Sequence, residues 1–305
     1  MLKGILYNSS VFIKALFSLF VIFVSFLFLY VVGIIVVQLG FGIDIIHHPE
    51  LLQDLSSPET IKVLKFFQLA QSLGLFVLPP LIIGYLMYYS VKDFLRLHKI
   101  SSYYFLLLTA IAILSFIPFS NLLSFLNSYM SFPDFMKGIE NWMRTSEENA
   151  SQLTLYFLKA DSWIDFLYNI ILIAAIPAIG EEFLFRGLLQ RLFTELTKKV
   201  HLSIWLSAIL FSAIHFQFYG FIPRLFLGVV FGYLLEYTGT IWIPIIAHFI
   251  NNLVGVIIGY FFPNENVVNS IDTQISMISV IYGILGGLLG FLCIWLIARK
   301  ANRVL

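Results

Sequence analysis

The chain has 305 residues, of which 60% are hydrophobic and only 11% charged, with a formal net charge of +1. Soluble domains carry about a quarter charged residues, so this composition, with a mean hydropathy of +0.93, reads as an all-α, polytopic membrane protein in a lipid bilayer. The balanced charge offers no basic tract to a nucleic-acid partner, and a lone cysteine, Cys293, excludes an intrachain disulfide framework.

A spanning helix needs roughly 20 mostly apolar residues. Eight runs qualify in chain order, near 12–39, 66–90, 103–126, 163–190, 202–219, 223–238, 241–262 and 276–298. The first is too long for the core of a secretory signal and lacks a small-residue cleavage site, so it reads as a retained helix. In the second, Pro79-Pro80 removes two backbone donors and predicts a kink. After the third, residues 127–160 set Phe132, Phe135, Met136, Ile139, Trp142 and Met143 among charges. That pattern fits an amphipathic helix at the interface or a solvated connecting loop. The fifth and sixth runs are short and joined by "QFYGFIP", so their limits are the least defined. Gly228-x-x-x-Gly232 and Gly283-x-x-x-Gly287 predict close helix approach. One integrated bundle is expected, with a three-helix region and outer-face loop over 1–160 and a second region over 161–305.

An even number of spans puts both termini on one side. Lys3, Lys14, Lys92, Arg96, Lys99, Arg191, Lys198, Lys199, Arg299, Lys300 and Arg303 fall on that side, and the acidic loops fall on the other. Because basic loops stay inside, a multi-pass protein of the cell membrane with both termini cytoplasmic is expected.

Within this apolar frame, "AIPAIGEEFLFRGLLQRLF" at 175–193 places Glu181, Glu182 and Arg186 in the fourth run. A charge at mid-bilayer costs on the order of 2.5–3.5 kcal/mol on insertion scales. Glu182 and Arg186 stand one turn apart and suit an ion pair, whereas Glu181 points about 100° away. The plain alternative is a helix end whose charges snorkel to the headgroups. Ala174, Ala175, Pro177, Ala178 and Gly180 thin the surface before them, and Pro177 frees a carbonyl one turn back.

Two further runs hold buried polar groups. "FSAIH" carries His215, and "HFINN" carries His248 and Asn252 on one helix face, with Asn251 turned elsewhere. Each alone reads equally as a packing residue. Together they come from three helices at overlapping depths, on the order of 10–20 Å from the basic side, which predicts one pocket open to the cytoplasm. Amide hydrolysis needs a base for water and donors for the oxyanion. Glu181 can be that base, and His215 can hold the water or protonate the leaving amine. The Asn252 amide and the His248 ring N–H are competent donors. Glutamate and histidine inside spans equally suit a proton-coupled transporter, and a non-catalytic membrane scaffold would use them for pairing. Two histidines and a glutamate are also a common zinc set, although His-Glu-x-x-His is absent.

The three motifs "EEFLFR", "FSAIH" and "HFINN", in that order, resemble those of the CPBP intramembrane protease family. That family includes the type II CAAX prenyl endopeptidases and the bacterial Abi-type immunity proteins. The resemblance covers about residues 163 to 255, including "PRLFLGVVFGYLLEYTGTIWIPIIAH". It implies an eight-helix membrane endopeptidase that cuts a peptide or protein substrate, membrane-associated ones included, near the cytoplasmic face. By motif position it implies that Glu181 and His215 activate water and that His248 and Asn252 hold the oxyanion. Glu182 and Arg186 would support the first motif. No cofactor is expected, with zinc held by Glu181, His215 and His248 as the alternative.

Overall fold

A computed structural model describes residues 3–130, 132–262 and 276–301. They form α1 (Val11–Phe41), α2 (Pro58–Met87), α3 (Tyr103–Ser128), α4 (Lys137–Leu158), α5 (Trp163–Thr197), α6 (Val200–Ala213), α7 (Phe221–Thr238), α8 (Trp242–Phe261) and α9 (Met277–Ala301). Serine side chains set several starts by accepting first-turn N–H groups. Ser10 accepts from Ile13, Ser57 from Thr60, Ser102 from Tyr104 and Ser162 from Asp165. At its far end α7 stops on Gly239, whose φ of 71° is open to glycine without strain.

Among the described residues, every one of these helices except α4 and α6 is long and apolar enough to cross a membrane. The fifth run is shorter than expected: α6 ends at Ala213 after 14 residues, or ~21 Å of rise. The chain then turns, with Phe216 at φ 52°. Irregular backbone survives at membrane depth only where protein satisfies it. Here Tyr219 N–H donates to Glu147 Oε2 at 3.0 Å, and Phe218 O accepts from Asn127 Nδ2 at 2.8 Å. Glu147 belongs to α4, which realises the amphipathic alternative for 127–160. It buries Met143, Glu147, Phe157 and Leu158 and leaves Ile139 and Trp142 exposed.

At the prolines the helices hold widened turns. A π turn at Ser72–Val77 precedes Pro79-Pro80, and another at Ile170–Ala175 precedes Pro177, because each ring breaks the regular hydrogen-bond ladder. The two helices meet closely just there: a Cβ on Gly180 would stand 2.8 Å from Phe76 Cβ. Both glycine motifs lie at close approaches. Gly228 and Gly232 let α7 lie on Ala208 and Ile204 of α6, and Gly287 admits Phe119 of α3 against α9.

The bundle has two chemically different ends. At one, Lys14 Nζ meets Glu195 Oε2 at 3.3 Å and Arg96 Nη1 meets Glu236 Oε2 at 3.1 Å, while Lys300 lies 4.1 Å over the Tyr104 ring. At the other, Lys65 Nζ donates to Asn169 Oδ1 at 2.8 Å, and Asn169 Nδ2 donates to Leu158 O at 3.1 Å. That second end also holds α4 and the 214–220 turn.

Candidate active site

Glu181 and Glu182 lie at the middle of α5, buried among α6, α7 and α8. Burying these charges without partners would be costly, and the pairing is specific. Glu182 is fully buried; its Oε1 lies 3.0 Å from Arg186 Nη1 and 2.9 Å from His248 Nδ1. Arg186 Nη2 donates to Gly228 O at 2.9 Å, a carbonyl reachable because α7 has no side chain there. The guanidinium is sandwiched 4.7 Å from the Phe211 ring and 5.3 Å from the Phe231 ring, a favourable desolvated cation–π setting. Thus Glu182, Arg186, Phe211 and Phe231 form a locked layer.

Above that layer is a cavity of about 430 Å³ whose walls include Glu181, His215, His248 and Asn252, together with Asn251 and Arg224. All four candidates named from the sequence therefore share one space. Glu181 Oε2 is buried, has no hydrogen-bond partner among the described residues and lies 3.8 Å from His248 Nε2. His215 stands just past the end of α6, with Nδ1 2.8 Å from Phe211 O. A carbonyl only accepts, so Nδ1 carries the hydrogen and Nε2 of the neutral ring is left as an acceptor.

His248 uses Nδ1 on the Glu182 carboxylate, and its ring stacks 5.2 Å from Phe231. Its Nε2 can therefore donate only when both ring nitrogens carry hydrogen. Asn252 Nδ2 reaches Ile173 O at 3.4 Å. Pro177, four residues on, lacks the N–H that an unbroken α-helix would offer to that carbonyl. Asn251, expected to face elsewhere, donates to Asn252 Oδ1 at 3.3 Å and lines the same cavity, which is wide enough to reach both. Ser212 spends its hydroxyl on Phe221 O at 2.7 Å and is no nucleophile.

Sequence reasoning missed Arg224. Its Nη1 and Nη2 are tied to Gln217 O at 3.2 Å and Gln217 Oε1 at 2.7 Å. The signal was there, a charge at the start of the sixth apolar run and inside the resembling stretch that begins at Pro223, but it matched none of the three motifs. Glu181, His215 and His248, the residues of the zinc alternative, line the same cavity.

The cavity has a direction. A second cavity of about 510 Å³ shares Thr154, Arg224, Leu227 and Asn251 with it and continues to Glu147, Glu148 and Gln152 of α4. A separate cavity of about 760 Å³ at the basic end touches Arg96, Arg186, Arg191 and Lys198 but none of Glu181, His215, His248 and Asn252. The Arg186 layer lies between them.

Residues 163–254 match the family described as type II CAAX prenyl endopeptidase Rce1-like. A 90-residue stretch is 32% identical to the uncharacterised protein YpbD of Bacillus subtilis (strain 168), covering 28% of this chain and 43% of that protein. The chain therefore aligns with less than half the length of that curated relative. No solved structure matches the chain.

Proposed function

With residues 163–254 forming an Rce1-like region, we propose that this multi-pass membrane protein is an intramembrane endopeptidase that hydrolyses a peptide bond with an activated water. One observation supports this above the others. A buried glutamate with an unpartnered oxygen, two imidazoles and a carboxamide from three helices converge on one cavity.

In this reading Glu181 takes a proton from water as its oxygen bonds to the scissile carbonyl carbon. His215 Nε2, an acceptor in the neutral ring, orients the same water. The negative charge then moves to the carbonyl oxygen, which the Asn252 amide holds together with His248 when both of its ring nitrogens carry hydrogen. Breaking the C–N bond returns the proton to the leaving amine. Glu182 and Arg186 fix His248 and do not touch substrate. Water is activated here by Glu181 alone, and a chelator test distinguishes this from a zinc-assisted version.

A proton-coupled carrier is less well supported, since the Arg186 layer separates the two end cavities. The discriminating experiment compares membrane peptidomes of cells carrying the wild type and Glu181→Gln. Cleavage products present with the wild type and missing with the variant are expected. Identical peptidomes from equally expressed proteins would remove the peptidase reading.

A further inference from the structure

Two expectations from the sequence, cytoplasmic termini and cleavage near the cytoplasmic face, exclude each other in this fold. Helices that start at the basic end run toward the other one, and His215 lies past the far end of α6. On the side of α4 and the 214–220 turn the cavity joins a second one through Thr154, Arg224, Leu227 and Asn251, and that second cavity is bounded by Glu147, Glu148 and Gln152. Toward the basic end the first cavity is shut by Arg186 between Phe211 and Phe231. Whichever face the basic end occupies, the reactive groups open to the opposite one.

Charge decides which face that is. Lys14, Arg96, Arg191, Lys198, Lys199 and Lys300 gather at the closed end, within a turn or two of helix termini. With Lys3, Lys92, Lys99 and Arg299 also there, the open end has fewer: Lys62, Lys65, Lys137, Arg144, Lys159 and Arg224, set among Asp44, Glu50, Asp54, Glu148 and Asp161. Basic residues near short loops hold their side in the cytoplasm, and acidic ones contribute little.

We infer that the cavity faces the extracytoplasmic side and takes its substrate from there. The substrate class is a peptide or protein segment emerging on the outer face, either secreted or anchored in the outer half of the bilayer. The substrate part rests on the peptidase reading; the orientation does not. The cavity is reached past α4, whose exposed Ile139 and Trp142 suit a helix resting at the outer interface.

Orientation is read by single-cysteine labelling of the full-length chain in a Cys293→Ser background, since Cys293 is the one native thiol and is buried. Thr154→Cys sits at the cavity wall and Lys198→Cys at the basic end; Glu148→Cys and Arg299→Cys form a second pair should either of the first misfold. With a membrane-impermeant maleimide, the cavity-side cysteines should label in intact cells and the basic-end cysteines only after permeabilisation. The reverse pattern, or equal labelling of both ends in intact cells, overturns the inference. A parallel arm offers a fluorogenic peptide library to intact spheroplasts and to inverted vesicles. Cleavage confined to spheroplasts, lost with Glu181→Gln, is expected. If neither preparation cleaves while labelling holds, the peptidase reading falls and the orientation stands. Cleavage confined to inverted vesicles overturns the orientation.

Discussion

At the scale of single residues, adjacent glutamates have been given opposite work by a turn of about 100° in the helix. Glu182 pairs through one oxygen with Arg186 and His248, and Glu181 lines the cavity; each has its other oxygen, Oε2, without a hydrogen-bond partner among the described residues. Breaking a buried pair by removing one partner leaves an uncompensated charge and costs about 3–5 kcal/mol. Glu182→Ala should therefore lower the melting temperature in detergent sharply and cost activity through lost fold. Glu181→Gln should melt like the wild type yet fail to cleave; a melting temperature that falls as far as that of Glu182→Ala would show both glutamates to be structural. Asn252→Ala should lower kcat by about 10²–10³, the usual loss for one oxyanion donor, with a smaller effect on KM. Activity that survives strong chelators is expected, and loss restored by added zinc would count against the metal-free chemistry.

At the scale of elements, the site exists because helices are allowed to be irregular or unusually close. Pro177 interrupts α5 and leaves the Ile173 carbonyl to Asn252 on α8. Pro177→Ala supplies a competing N–H, so kcat should fall by less than in Asn252→Ala while the protein stays folded. An unchanged kcat would mean that the Asn252 amide needs no such anchor. The α6–α7 contact depends on glycine: a Cβ on Gly232 would stand 2.7 Å from Ile204 and 3.0 Å from Gln190. Gly232→Leu forces the helices apart at a cost of about 1–3 kcal/mol. It should also loosen the Gly228 carbonyl from Arg186, so that thermal stability and activity drop together.

At the scale of the whole molecule, the first 160 residues are part of the bundle's interior packing. In α3, Phe105, Ala112, Ile113 and Phe116 share a buried cluster with Leu234 of α7, Ala247 of α8 and Cys293 of α9. Lys65 of α2 is bonded to Asn169 of α5, and Glu147 of α4 holds the turn that carries the chain past His215. Residues 161–305 expressed alone should therefore give no monodisperse peak in detergent, and co-expression with 1–160 should restore one. A stable, active 161–305 fragment would refute that dependence.

Much of this protein is written locally. Hydropathy over about twenty residues fixes where most helices lie, serines fix where several begin, and prolines fix where α2 and α5 deform, because each effect acts within a few residues of its cause. The candidates Glu181, His215, His248 and Asn252 were legible for a related reason: a polar group in an apolar run is conspicuous before its partners are known. The early end of α6 was not legible, because its turn is held by Asn127 and Glu147 from distant helices. Nor was the closeness of Glu181 to His248 or the commitment of His248 Nδ1 to Glu182. Those facts, and the end to which the cavity opens, are decided by contacts across more than sixty residues of chain, as with His248 and Glu182. Only the packed fold brings such groups within hydrogen-bonding distance.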